Sequence, residues 1–182
     1  AQKVTFVPLV GGVGRVRMEL HANSLAESLS RIYDGKFVPL HAPARVSSRN
    51  IRDELLKEDS LLPAIYLTQK LDIAVVGIGY PNEKSAIMAT GYFKENEIES
   101  LIDRKVAGEL CMQFYDIYGD TAPYKDDNNV IGMDISMLRS VPRSFGIAGG
   151  VEKLRAVRGA INGHYINTLI TDIECAEALI SE

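Results

Sequence analysis

The sequence has no tryptophan and little cysteine: Cys111 and Cys175 stand far apart in a chain of 182 residues. Two thiols without paired spacing exclude a disulfide framework and fit a reduced, cytoplasmic protein. The three histidines, His21, His41 and His164, share no metal-ligand spacing with one another or with the cysteines, which argues against a zinc site. No apolar run approaches the roughly 20 residues that span a bilayer, and no signal peptide is visible at the start. Basic excess is also missing. The net charge is −4 and the sequence pI is 5.5, which excludes bulk electrostatic binding of nucleic acid or an anionic membrane by this chain. Neither glycine-rich turn continues to Gly-Lys-Ser/Thr, so no P-loop is present. Gly12-x-Gly14 lacks the third glycine of a dinucleotide fingerprint, and no Gly-x-Ser-x-Gly nucleophile elbow occurs. No cofactor is implied.

What is present is ample apolar content, 46% hydrophobic against 24% charged, enough for one domain over residues 1–182 with a sizeable core. The most informative stretch runs from Phe145 to Asp172. A short apolar strand, Phe145 to Ala148, stops at Gly149-Gly150. Val151, Leu154, Val157 and Ile161 then fall three or four apart, the apolar stripe of a helix, with Gly163 as its C′ residue. A second apolar strand, Tyr165 to Ile170, leads to Thr171-Asp172, which caps the final helix, Ile173 to Ile180. Strand, helix and strand in this order imply a parallel crossover. Two glycines at a strand's carboxyl end, with a helix behind them, can cradle an anion, and Lys153 in the first helical turn would help to hold it. A plain turn with a solvated lysine fits the same residues.

The rest of the chain repeats the alternation. Val4 to Val10 predicts a strand that ends in Gly11-Gly12-Val13-Gly14, followed by Arg15, Arg17, Glu19 and His21. Asn23 is the expected N-cap of a helix through Ile32, with Leu25, Leu29 and Ile32 facing inward and Glu27 in the first turn. Phe37 to Leu40 is a second strand, running into Pro43 and Arg45. Ser48 opens a helix to about Lys57 with Ile51, Leu55 and Leu56 inward, and Ser60 caps another that admits Pro63 in its first turn. Asp72 to Gly79 is a strand apolar on both faces. The loop from Tyr80 to Tyr92 has no clear assignment, and a short helix follows from Glu95 to Ile102. Val106 to Tyr118 holds a strand, Thr121 to Asn129 reads as an exposed polar loop or hairpin, and Asp134 caps a short helix ended by Pro142. This pattern predicts an α/β doubly wound, mostly parallel sheet. The corners at Gly11-Gly12, Pro43, Gly77 to Gly79 and Gly149-Gly150 would converge on one edge of it, where ligands of such sheets bind.

Among polar residues near strand ends, Glu109 follows Gly108 in an otherwise apolar run. A carboxylate there suits sugar hydroxyls or general base work, and a partly exposed strand start fits too. His21 could donate to a hydroxyl or phosphate, or pack locally at a helix entry. Tyr115 and Tyr118 read as core or rim residues.

Taken together, FVPLVGGVG (6–14), HANSLAESL (21–29), LHAPAR (40–45), DIAVVGIG (72–79), VAGELCMQFYDIYGD (106–120), IGMDISMLRSVPRSFGIAGGVEKLRAVRGAI (131–161) and YINTLITD (165–172) resemble the effector-binding domain of the SorC/DeoR-type family of bacterial sugar-responsive transcriptional regulators. The resemblance spans essentially the whole chain. It implies a Rossmann-like fold similar to sugar-phosphate isomerases and glucosamine-6-phosphate deaminase. It implies a phosphorylated sugar as effector, no enzymatic activity, and assembly as a dimer or tetramer. Operator DNA would be contacted only through an N-terminal helix-turn-helix absent from this sequence. By the same resemblance Glu109 contacts sugar hydroxyls, Lys153 reaches the ligand and His21 lines the pocket, with Gly11, Gly12, Gly149 and Gly150 as the glycine corners. The family's first βα unit, whose loop binds phosphate, does not precede Val4. Several members carry Arg or Lys where Val10 stands, a departure that favours a monophosphate or smaller ligand. A phosphosugar isomerase or deaminase is the competing reading, and a purely structural oligomerisation domain is a third.

Overall fold

The structure, a computed structural model, describes residues 4–13, 21–82, 85 and 90–181. Gly14, Arg15, Arg17 and Glu19 lie outside the described residues, as do positions 83, 84 and 86–89 of the loop after Tyr80. The chain divides into two compact units, Ala1–Lys70 with Asn129–Met133, and Leu71–Asn128 with Asp134–Glu182.

In the first unit β1 (Thr5–Phe6) pairs in parallel with β2 (Lys36–Phe37), and α1 (Ala22–Ile32) lies between them in sequence. The ladder is shorter than the apolar run because Pro8 has no N–H to offer it. Beyond it, residues 129–133 run as a further extended segment. Met133 N–H donates to Leu9 O at 2.8 Å and Gly11 N–H to Ile131 O at 2.9 Å, while Ile131 N–H reaches Ala44 O at 2.9 Å on the other side. Leu40, Leu61, Ala64 and Ile131 form the core, with Val7, Val38, Leu55, Leu56 and Ile65 packed against it.

α1 sits differently from the prediction. Leu25, Leu29 and Ile32 are 50%, 43% and 74% exposed, and the helix rests on Ala26 and Ser30 instead. Small residues let the helix backbone approach closely, and the buried Ser30 hydroxyl is satisfied by Glu27 O at 2.7 Å. His21, not Asn23, occupies the N-cap position, so Glu27 falls beyond the first turn and pairs with Arg31. Asn23 uses its amide as a strand would, donating to Leu40 O at 3.0 Å and accepting from Leu40 N–H at 2.9 Å. α2 (Arg49–Leu55) is capped as expected by Ser48, although Ile51 is exposed. α3 (Leu62–Thr68) carries Pro63 in its first turn, with Leu61 rather than Ser60 at the N-cap.

The second unit holds a parallel sheet of β3 (Ile73–Gly77), β6 (Arg143–Ile147) and β7 (Thr168–Ile170), in the order β3-β6-β7. Phe145 is in register with Val75 and Thr168. Ala74, Val76, Ser144 and Gly146 face the core. Ile73, Val75, Ile147 and Ile170 point the other way and are about half exposed, so one face of a sheet type that is usually covered on both stands open in these residues. α4 (Glu95–Asp103) precedes the ambiguous stretch, which is an antiparallel hairpin of β4 (Gly108–Leu110) and β5 (Gln113–Tyr115). The polar run after it is a 3-10 turn, Ala122–Asp127, pinned by buried Tyr124, whose hydroxyl donates to Arg104 O. Asp134 caps a second 3-10 turn, Ile135–Ser140, by accepting from Ser136 N–H at 2.9 Å.

A third such turn, Val151–Lys153, leads into α5 (Leu154–Asn162). Val151 and Ile161 are partly exposed, and the buried face of α5 is Ala156, Val157, Gly159 and Ala160. At its end Gly163 keeps φ at −74°, and His164 takes the left-handed conformation instead, with φ at 56°. Gly163 is needed for closeness: a Cβ there would lie 2.5 Å from the Tyr165 ring and 2.9 Å from Gly119 Cα. Gly119 has φ at 77° and abuts Gly163 in turn, while its carbonyl accepts from the Tyr165 hydroxyl at 2.6 Å. α6 (Ile173–Ser181) closes the described chain. Gly119→Ala should therefore lower unfolding stability by about 2 kcal/mol or more. Gly77→Ala, with open space around its missing Cβ, should be near neutral; equal losses for both in urea titrations would refute the contact.

Candidate functional site

The carboxyl ends of β3 and β6 are adjacent, because Ile78 N–H continues the ladder to Ile147 O at 2.9 Å. One residue later the chain makes an antiparallel bridge with the hairpin: Gly79 N–H donates to Glu109 O at 3.0 Å, and Glu109 N–H to Gly79 O at 2.8 Å. The hairpin is thus fastened across the end of the parallel sheet. A Cβ at position 79 would meet the Glu109 side chain, with the carboxyl carbon 2.8 Å away, so a larger residue there would push that carboxyl aside.

The hairpin turn is unusual in composition. Cys111 and Met112 both have positive φ, 50° and 64°, in a two-residue connection where Asn-Gly is the common solution. Such conformations cost about 1–3 kcal/mol each in non-glycine residues. Here they aim the Met112 N–H at the Glu109 carboxylate, 2.8 Å from Oε2. Burial drives the Glu109 carboxyl upward to about 7, against the Met112 hydrogen bond and the positive charge of Lys153, which both favour the ionised form. Glu109 still keeps partial solvent access. Burial, reinforced by Glu109, raises the neighbouring Cys111 thiol to about 12, so this cysteine stays protonated and unreactive at neutral pH.

α5 packs on the hairpin, and the charge of Lys153 just ahead of it acts on the Glu109 carboxyl. Gly108 and Gly159 allow the approach: a Cβ on Gly108 would sit 2.7 Å from Ala156 Cβ, and one on Gly159 would sit 2.6 Å from Asp116 O. The fully buried Tyr115 hydroxyl donates to Ala156 O at 2.9 Å and locks the pair. Lys153 precedes Ala156 and Val157 by three and four positions, so it shares their hairpin-facing side one turn earlier.

At the turn after β6, the Gly150 N–H donates to Asp172 Oδ2 at 2.5 Å, and the same carboxylate caps α6 by accepting from Cys175 N–H at 2.8 Å. Gly150 has φ at 93°, and a Cβ on Gly149 would stand 2.8 Å from Asp172 Oδ2. These backbone bonds hold the Asp172 carboxyl below its ordinary range. The second role of Asp172 is not visible from its cap position in the sequence.

Gly11, Gly12 and His21 belong to the first unit. Gly12 N–H donates to Ala42 O at 2.8 Å, Ala44 N–H returns to Gly12 O, and Gly12 bridges Pro43, so these two corners do meet. Gly11 is held by close backbone approach, a Cβ there lying 2.6 Å from Pro43 O. His21 Nδ1 would be 3.7 Å from a Cβ on Gly12, which places the imidazole beside that glycine. Tyr118 is 77% exposed. Among the described residues no cluster of His, Cys, Asp and Glu could hold a metal ion, and no helix is long and apolar enough to cross a membrane.

A mixed α/β chain with mostly parallel strands belongs to the class of Rossmann-like domains. Comparison with known proteins narrows this. The family described as "Putative sugar-binding domain" matches residues 1–181, and the chain belongs to it. It is 30% identical over 181 residues to the sorbitol operon regulator of Klebsiella pneumoniae, covering 99% of this chain and 58% of that protein. It is 33% identical over 183 residues to the transcriptional regulator LsrR of Escherichia coli, covering 99% and 55%. The crystal structure of the full-length Klebsiella pneumoniae regulator SorC superposes with a TM-score of 0.89 at 30% identity, over 99% of this chain and 59% of that one. A DeoR family transcriptional regulator from Listeria monocytogenes superposes with a TM-score of 0.88 at 26% identity, over 97% and 69%. The chain thus spans a little over half the length of the curated relatives named here.

The raised Glu109 carboxyl gives a pH signature. Its folded-state pKa lies above the unfolded value, so the stability tied to it is complete below about pH 4.5 and is lost as pH rises through about 7. Glu109→Gln should remove this component and gain about 2–3 kcal/mol over the parent at pH 8, but little at pH 4. Parallel stability–pH curves for the two proteins would contradict the burial of the charge.

Proposed function

We propose that this chain is the ligand-sensing part of a bacterial transcriptional regulator, and that its effector is a phosphorylated sugar held by Glu109 and Lys153. The carrying observation is the Glu109 carboxyl, sunk by the hairpin across the end of β3 and acted on by the charge of Lys153. A carboxyl sunk by the hairpin, in a residue that keeps partial solvent exposure, is suited to accepting from sugar hydroxyls, and Lys153, whose charge acts on that carboxyl, supplies a donor and favours an anionic ligand. The family of sugar-binding domains and the regulator names of the relatives support the same reading. Gly149 and Gly150, which lead the turn that holds Lys153, are proposed as contacts of the same ligand, and His21 with Gly11 and Gly12 forms a further set of candidate contacts in the first unit.

Control of DNA would then be allosteric. The effector would favour one arrangement of subunits in a cytoplasmic dimer or tetramer, and a helix-turn-helix elsewhere in the full-length protein would contact the operator. The sensor reading is preferred over a phosphosugar isomerase or deaminase because the hydrogen-bond partner of the Glu109 carboxylate is the Met112 backbone, not a second acid or base. A carboxyl near neutrality does suit proton transfer, so turnover of glucosamine 6-phosphate or ribose 5-phosphate by the full-length protein would favour the enzyme.

A thermal-shift screen of full-length protein against free and phosphorylated sugars should show a rise in melting temperature with a sugar phosphate. Glu109→Ala and Lys153→Ala should each weaken that ligand by about 1–3 kcal/mol in calorimetry. Unchanged affinity in both variants would remove the two residues from the site.

A further inference from the structure

In the first unit the parallel ladder stops short, and a side chain takes over from it. Lys36 N–H donates to Val4 O at 2.8 Å and Val38 N–H to Phe6 O at 3.0 Å, so the next step would bring Leu40 N–H to Pro8 O. Leu40 N–H goes instead to Asn23 Oδ1 at 2.9 Å, and Leu40 O accepts from Asn23 Nδ2 at 3.0 Å. Leu40 is fully buried, so its N–H and C=O both need partners within the protein. The same carbonyl also accepts from Ala42 N–H at 3.0 Å, and Ala42 O accepts from Gly12 N–H at 2.8 Å. His21, two residues ahead of Asn23 at the N-cap of α1, sets its Nδ1 beside Gly12. Asn23, Leu40, Ala42, Gly12 and His21 thus close a ring of contacts, in which one amide ties the start of α1 to the chain beyond β2.

We infer that Asn23 is a positioning residue for sugar binding: it aligns His21 with the Gly12-Pro43 corner. This rests on the reading of His21 and Gly12 as ligand contacts and deepens it by naming the residue that sets them side by side. Asn23 acts through its neighbours, since both ends of its amide are taken by Leu40. Asparagine suits the place because a primary amide carries a donor and an acceptor on one carbon, the complement of the two peptide groups of Leu40. Alanine has neither group, and aspartate would keep the acceptor but set a carboxylate against the Leu40 carbonyl. Without the amide, the turn at Leu40-His41-Ala42 loses its tie to α1, and the imidazole moves away from Gly12 with its own helix. Ser30, the buried polar residue of the same helix, makes the opposite case: its hydroxyl bonds to Glu27 O and ties α1 only to itself.

The test uses full-length protein, deuterated except at histidine and glycine, with the nuclear Overhauser effect read between the His21 ring and the Gly12 α-protons. The parent and Ser30→Ala should show it, and Asn23→Ala should not. Asn23→Asp keeps one of the two bonds and serves where the alanine variant fails to fold. It should lose the effect at about pH 7.5 and regain it at about pH 4, where a protonated carboxyl again offers a donor and an acceptor, with the parent measured at both pH values. An effect kept at neutral pH in the Asn23 variants, or lost in Ser30→Ala as well, overturns the inference. The probe ligands are ribose 5-phosphate and glucosamine 6-phosphate. Whichever stabilises the parent should bind Asn23→Ala about tenfold more weakly and Ser30→Ala within about twofold of the parent. Equal affinity of Asn23→Ala and the parent would also overturn it. Sugar phosphates that leave the parent unchanged would undo the sugar reading, while the Overhauser effect would still decide whether Asn23 places His21.

Discussion

The antiparallel bridge between Gly79 and Glu109 is the constraint from which the site follows. A parallel sheet ends in a row of unpaired backbone groups, and here the hairpin satisfies those of β3 with two reciprocal hydrogen bonds. Because Gly79 has no side chain, the hairpin can press Glu109 flat against the strand end, where its carboxyl loses most of its water. A charge so placed is unfavourable unless something nearby stabilises it. Two partners do: the Met112 N–H, directed by the left-handed Cys111-Met112 turn, and Lys153 at the head of α5.

That arrangement ties local strain to the state of the Glu109 carboxyl. The turn adopts backbone angles its residues do not favour, and the tight seam formed by Gly108, Gly159 and Tyr115 keeps the hairpin in place against α5. Folding alone would avoid such a largely buried carboxyl, whose pKa is pushed up to about 7. Around it the turn after β6 is organised by Asp172 acting in two directions, which joins the start of α6 to the end of β6. The regulators to which the chain is similar share the architecture over its whole length, and the chain belongs to the sugar-binding family that they exemplify.

Much of this was legible in the residues. The alternation of strands and helices, the Ser48, Asp134 and Asp172 caps and the succession from β6 to β7 all appeared in the expected order. Apolar periodicity was a weaker guide to burial. Leu25, Leu29 and Ile32 have the right spacing for an inward face, but the closer fit of Ala26 and Ser30 turned α1 by one position. Asn23 looks like a cap because its side chain can mimic a peptide group; it uses that ability on Leu40 instead, 17 residues away. Gly163 looks like a left-handed stop, yet the demand on it was the approach of Gly119, and His164 took the left-handed angle.

The sequence by itself determined what depends on near neighbours: the helical and extended periods, the caps made within two or three residues, and the absence of the motifs that phosphate-loop, dinucleotide and nucleophile-elbow chemistry need. Tertiary structure alone decided the state of Glu109, the influence of Lys153 on it and the second bond of Asp172. Charge and burial depend on atoms brought together from distant parts of the chain, and a carboxylate's pKa is fixed by the water it loses and the donors it gains, neither of which is written at its own position.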